Sequence, residues 1–216
     1  LPTEFQFGDW LDPDAPGDRP WEAKVSADFV ANAFYARSAQ ILAAAERLVG
    51  DASAAEEAAA LAERVGEETW RRWGGQARTS VAGLALAIEF DIAPAAQRAE
   101  LGEELARLVR ETDGRITTGF LGTPLVLPAL ARTGHLDEAY LMLLRRDSPS
   151  WLYQVDHGGT TIWERWDAIQ PDGSIHQGAM DTGDSMISFN HYAYGAVIDW
   201  VYRSVAGIAP DIEDPG

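Results

Sequence analysis

The sequence predicts an all-α fold built from antiparallel helical hairpins, and three observations carry that expectation. Apolar residues recur at three- and four-residue spacing through most of the chain. The links between those runs are short, which leaves antiparallel neighbours as the natural arrangement. Strand-like alternation is scarce. At 216 residues the chain has room for one large domain.

In residues 28–50, Phe29, Val30, Ala33, Phe34, Ile41, Leu42, Ala45, Leu48 and Val49 keep helical spacing until Gly50 stops the run. Ser53 and Glu56 have capping-box spacing and are expected to open a second helix, with Ala58, Leu61, Ala62 and Val65 on one face. Gly74 and Gly75 are expected to end it. Residues 80–90 are apolar nearly all round, as in a helix buried on several sides. A fourth helix follows Pro94 and turns Leu101, Leu105, Leu108 and Val109 inward. One-sided helices alternating with an all-round apolar one suggest two concentric layers, an α/α barrel. A plain helical bundle or solenoid satisfies the same periodicity.

Farther on, GRITTGFLGT (residues 114–123) leads to Thr123-Pro124, where Thr123 is expected to cap and Pro124 to take the first helical position. Pro128 removes an interior bond and predicts a short or kinked helix. Further helices are expected over residues 136–145 and 189–206. The layout is a leading loop (1–27), helical hairpins (28–208) and an acidic tail (209–216), forming a single domain.

Composition excludes several functions. Seventeen basic against thirty-four acidic residues leave a formal charge of −17, the wrong sign for binding a phosphate backbone. No apolar run approaches the roughly 20 residues of a membrane-spanning helix. Without cysteine there is neither a disulfide framework nor a thiolate metal site. His135, His157 and His176 share no ligand spacing, and the sequence has no HExxH, phosphate-binding glycine loop or nucleophile elbow. Residues 1–18 are acidic and aromatic rather than a basic leader followed by an apolar run, so this end does not specify a compartment. With no initiating Met, the chain is expected to begin inside a longer protein.

Eight tryptophans are many for this length, and tryptophan faces suit core packing or stacking on sugar rings. Three clusters stand out. In GGTTIWERWD (158–167), helical spacing would place Trp163 and Trp166 as an aromatic wall beside Glu164. A carboxylate beside aromatic faces fits a sugar site, where the acid handles protons. The plainer alternative is a core turn holding an internal Glu164–Arg165 pair. In FGDWL (7–11), Asp9 and Trp10 read as a loop presenting an acid and a stacking face, or as a segment whose Trp covers the core. In SFNHYAYG (188–195), Asn190 and His191 are polar groups opening an apolar helix, pointing into a polar site or satisfied within the core.

Taken in order, FGDWL, TTGFLGTPLVLPAL, PSWLYQV with GGTTIWERWD, and SFNHYAYGAVIDWVYRSVAGI resemble the catalytic domain of bacterial α-L-rhamnosidases of glycoside hydrolase family 78. The resemblance runs from Phe7 to Ile208. It implies an (α/α)₆ barrel, a six-hairpin toroid, represented here by its carboxy-terminal part. It also implies inverting hydrolysis of α-L-rhamnose glycosides without metal or organic cofactor. Glu164 matches the family's general base, His191 a histidine lining the rhamnose pocket, and Trp10 a tryptophan packing on the sugar. Asp9, Trp163 and Trp166 are expected to join that binding site. Two stretches depart from the family pattern: ARTSVAG (77–83) replaces a Thr-Gln-Thr type sequence, and residues 170–187 form an insertion at the expected pocket rim. The family's general acid lies in a motif upstream of FGDWL that this chain does not contain. The isolated chain is therefore expected to be inactive and to self-associate through faces left uncovered. Rival readings are a different glycosidase on the same barrel, or a sugar-binding or structural module without chemistry.

Overall fold

The computed structural model describes residues 5–16, 18–176 and 187–209, and among these it is helical, with only an isolated bridge between Ile169 and Ile175. The first hairpin pairs α1 (Ala27–Val49) with α2 (Ala52–Ala77). Ser26 caps α1 by accepting the Phe29 N–H, and Gly50, at φ 88°, ends it in the left-handed region. The cap of α2 is Asp51 rather than the Ser53 expected from the capping-box spacing. Its carboxylate accepts the Ala54 N–H at 2.9 Å, because the Gly50 turn brings Asp51 to the orphan amides first. The glycine pair does not stop α2 either. Gly74 lies inside the helix under the Trp70 ring, where a built Cβ would come within 2.8 Å of that ring.

Next, α3 (Val81–Glu89) is capped by Ser80, whose Oγ accepts the Gly83 N–H at 3.2 Å. Every residue from Val81 to Ile88 is buried, as the all-round apolar pattern predicts. It packs against α4 (Arg98–Glu111) and α5 (Thr123–Arg132), and α5 packs in turn against α6 (Leu136–Leu144). The layers follow from what each helix buries. α3 and α5 are inner, whereas α4 and α6 bury one stripe each and face their charges outward. The main core joins Leu84, Ile88, Leu101, Leu105, Leu127 and Leu130, and each such side chain contributes about 1.5–3 kcal/mol on burial. A second cluster, around Phe29, Val30, Leu86 and Phe90, fixes the α1–α2 hairpin against α3.

Two further expectations need correction. Thr123 does not cap α5. It is the first helical residue, and its hydroxyl donates back to the Gly119 carbonyl at 2.6 Å. The closing segment does not become helical at Phe189. It starts at a 3₁₀ turn (Ala193–Ala196), passes through α8 (Val197–Trp200) and ends in a π turn (Val201–Val205). Residues 188–191 are instead paired with another loop. That loop follows α7 (Trp151–Asp156), a short helix capped by Ser150. No described helix is long and apolar enough to cross a membrane.

Candidate active site

The site is built where residues 161–164 run beside residues 188–191. His191 donates its N–H to the Ile162 carbonyl at 2.8 Å, and Glu164 donates its own to the Ser188 carbonyl at 2.9 Å. The Ser188 N–H returns to Glu164 Oε2 at 2.9 Å, while the Thr161 hydroxyl donates to the Phe189 carbonyl. Backbone and side chain of Glu164 are thus both tied to one residue. Glu164 is only 6% exposed, and its Oε1 accepts no hydrogen bond from a described residue. Arg165 pairs with Asp167 at 3.1 Å, so no Glu164–Arg165 pair holds this turn.

The loop around Glu164 is not helical, which overturns the expected aromatic wall. The Trp163 N–H goes to Gln154 Oε1 at 3.0 Å and the Glu164 N–H goes to Ser188, so neither follows an i→i−4 ladder. Trp163 and Trp166 are each 2% exposed and point into different packing. The Trp163 ring meets the Phe189 ring edge-on at 5.5 Å. Trp166 stacks on Tyr194 at 4.0 Å and takes Trp151 edge-on at 5.6 Å. Both support the loop from within.

His191 lies on the segment paired with the Glu164 loop. Its Nδ1 accepts the Ala193 N–H at 3.3 Å, and its half-buried ring stacks on Phe120 with centroids 4.8 Å apart. Phe120 in turn leads to Trp10, because the Phe120 N–H donates to the Trp10 carbonyl at 2.9 Å. Trp10 keeps part of its ring open and stacks on Trp21 at 6.2 Å. Trp10, Phe120, His191 and Glu164 are therefore joined through four adjoining segments.

Asp9 is a clamp rather than an acid presented to solvent. It is fully buried, and its two oxygens accept the N–H groups of Gly119, Leu121 and Gly122, each at 2.8 Å. Burial pushes its carboxyl up to about 6; the three N–H donors pull the other way, and the nearby Asp12 carboxylate adds to the rise. The approach requires glycine: a Cβ on Gly119 would lie 2.2 Å from the Trp10 carbonyl oxygen and 2.3 Å from that of Asp9. Leu11 follows at φ 60°, held by its N–H to Pro20 and by the Tyr194 hydroxyl on its carbonyl.

Sequence reasoning missed Phe120, Gln154, Ser188 and Tyr194, which position the residues it found. Only Phe120 carried a local signal, an aromatic set between two closely spaced glycines. Residues 177–186, most of the insertion expected at the pocket rim, lie outside the described residues. Among the described residues, no group of three or more His, Asp or Glu is placed to hold a metal ion.

The all-helical arrangement of inner and outer helices matches the six-hairpin glycosidase domain of rhamnosidase structures. Residues 2–205 match the bacterial α-L-rhamnosidase six-hairpin glycosidase domain, and the chain belongs to that family. It is 37% identical to an α-L-rhamnosidase of Streptomyces avermitilis over 94% of this chain and 19% of the relative. It is 32% identical to one from Formosa agariphila over 94% of this chain and 22% of the relative. The crystal structure of native α-L-rhamnosidase from Aspergillus terreus superposes with a TM-score of 0.90 at 36% identity, covering 98% of this chain and 24% of that one. The Streptomyces avermitilis enzyme complexed with L-rhamnose gives a TM-score of 0.82 at 36% identity, covering 97% and 19%. The chain thus spans about a fifth of the length of the curated relatives it matches.

Proposed function

We propose that this chain carries the base-bearing side of an α-L-rhamnosidase active site that hydrolyses terminal α-L-rhamnose with inversion. The observation that carries the reading is the fixing of Glu164. Two hydrogen bonds to Ser188 hold its backbone and Oε2, leaving Oε1 to accept a proton from water. A general base must be held in place and keep a lone pair for the proton, and among the described residues none donates to Oε1. Rhamnose has one face rich in C–H bonds, which suits the partly open Trp10 ring, and hydroxyls that suit His191. In the inverting reaction Glu164 deprotonates water on one side of the sugar, and a carboxylic acid protonates the departing oxygen on the other. The two carboxyl groups then stand roughly 6.5–9.5 Å apart.

The acid is proposed to come from polypeptide outside this chain, which agrees with the greater length of the relatives. The isolated chain is accordingly proposed to be inactive. It is also proposed to self-associate through the face of α1 that carries Tyr35, Ile41, Leu42, Leu48 and Val49, all exposed and apolar. Chromogenic glycosides given to the whole protein test the activity, with α-L-rhamnoside cleaved in preference to other sugars and β-L-rhamnose appearing first by proton NMR. Preference for another sugar, or α-L-rhamnose appearing first, contradicts the reading.

A further inference from the structure

The rings beside Glu164 continue outward past His191. Phe120 and His191 stack at 4.8 Å with an interplanar angle of 23°, and His191 and Tyr192 follow at 5.3 Å and 9°. Three nearly parallel rings therefore step from the packed interior to the surface. The last of them, Tyr192, is 88% exposed, and its outer face meets no ring among the described residues. A tyrosine ring presented this openly offers a flat apolar face on which another ring can stack. Tyr192 is four residues beyond Ser188, the residue that fixes Glu164, so its Cα lies within about 14 Å of the Ser188 Cα. Its ring lies nearly parallel to that of His191.

We infer that the outer face of Tyr192 is the platform for the leaving group: a ring-bearing aglycone, aromatic or hexosyl, whose flat apolar face stacks there while rhamnose occupies the Glu164–His191 site. The inference rests on the rhamnosidase reading above. It adds a specificity-determining residue to that reading, since Tyr192 would sort substrates by what is attached to rhamnose.

The test uses the whole protein with Tyr192→Ala and Tyr192→Phe. Three readouts are compared: kcat/KM for p-nitrophenyl α-L-rhamnoside, kcat/KM for a rhamnosyl-glucoside, and inhibition constants for L-rhamnose and methyl α-L-rhamnoside. Tyr192→Ala should lower kcat/KM for one or both ring-bearing substrates by about 2- to 12-fold. Which of the two responds identifies the aglycone as aryl or sugar. Inhibition by rhamnose and methyl rhamnoside, which lack a second ring, should change by less than about twofold, and Tyr192→Phe should retain wild-type values. Equal losses for all four compounds, or no loss for either ring-bearing substrate, would overturn the assignment. So would a Phe variant as impaired as the Ala variant. A wild-type protein that neither cleaves α-L-rhamnosides nor is inhibited by L-rhamnose would overturn the functional reading, and the Tyr192 assignment with it.

Discussion

At the scale of single residues, three hydrogen bonds decide what Asp9 does. Its carboxyl stitches the loop carrying Trp10 to the turn carrying Phe120, so its removal should disturb the site through both. Asp9→Asn sets an amide N–H₂ against at least one backbone donor, and the loss should be about 1–3 kcal/mol. Asp9 also gives stability a pH signature. Its folded carboxyl titrates near 6 against an ordinary value of 3.8, so the folded state holds an extra proton between those values. The associated stability is complete below about 3.8 and is lost as pH rises through about 6. The shift of about two units corresponds to about 3 kcal/mol. Denaturation of wild type and Asp9→Asn at pH 4.5 and pH 7 isolates this term. The gap between them should narrow at the higher pH, and a gap that widens contradicts the assignment. Type and neighbours marked Asp9, Trp10, Glu164 and His191 in the sequence as residues of interest. They did not reveal that Asp9 looks inward, because its three donors lie more than a hundred positions away.

Single elements respond in opposite directions to the same change. Gly75→Ala in the last turn of α2 places a methyl in open space and should stabilise by up to about 0.5–1 kcal/mol. Gly119→Ala drives a methyl into two backbone carbonyls and should destabilise by about 1–3 kcal/mol or more, with a changed near-ultraviolet tryptophan spectrum. Thermal unfolding of the pair checks both; equal effects would show that the Trp10 loop yields to let the methyl in. α3 was legible because its nine residues form a local pattern that only burial explains. The segment from Trp163 to Trp166 was not. Its amides are taken by Gln154 and Ser188, partners that helical spacing cannot reveal. Where local and long-range donors compete, periodicity reports only the local offer.

For the whole molecule, the decisive feature is an apolar face with no partner among the described residues. On α1, Leu48 is 89% exposed and Val49 77%, in line with Ile41 and Leu42 one heptad earlier. The net charge of −17 opposes association, so high salt should strengthen it by screening that repulsion. Sedimentation of the chain should show concentration-dependent oligomers that Leu48→Glu with Val49→Lys disperses. A monomer at all concentrations in the parent sequence contradicts the proposed face. Antiparallel hairpins in two layers were legible from link lengths and from the alternation of one-sided and all-round apolar helices, which suggested a barrel and left a bundle or solenoid open. The count of six came only from resemblance, because periodicity within a helix carries no information about closure.

The central claim is that Glu164 is a base and not a structural acid, and Glu164→Gln in the whole protein tests it most directly. The amide keeps the shape and can still accept the Ser188 N–H, but it cannot take a proton from water. Turnover should fall by about two to four orders of magnitude, with L-rhamnose affinity little changed and the melting temperature nearly preserved. Azide, a small anion that replaces the activated water, should restore product as β-rhamnosyl azide. Near-normal turnover per folded molecule, with the loss appearing in thermal stability instead, would contradict the account.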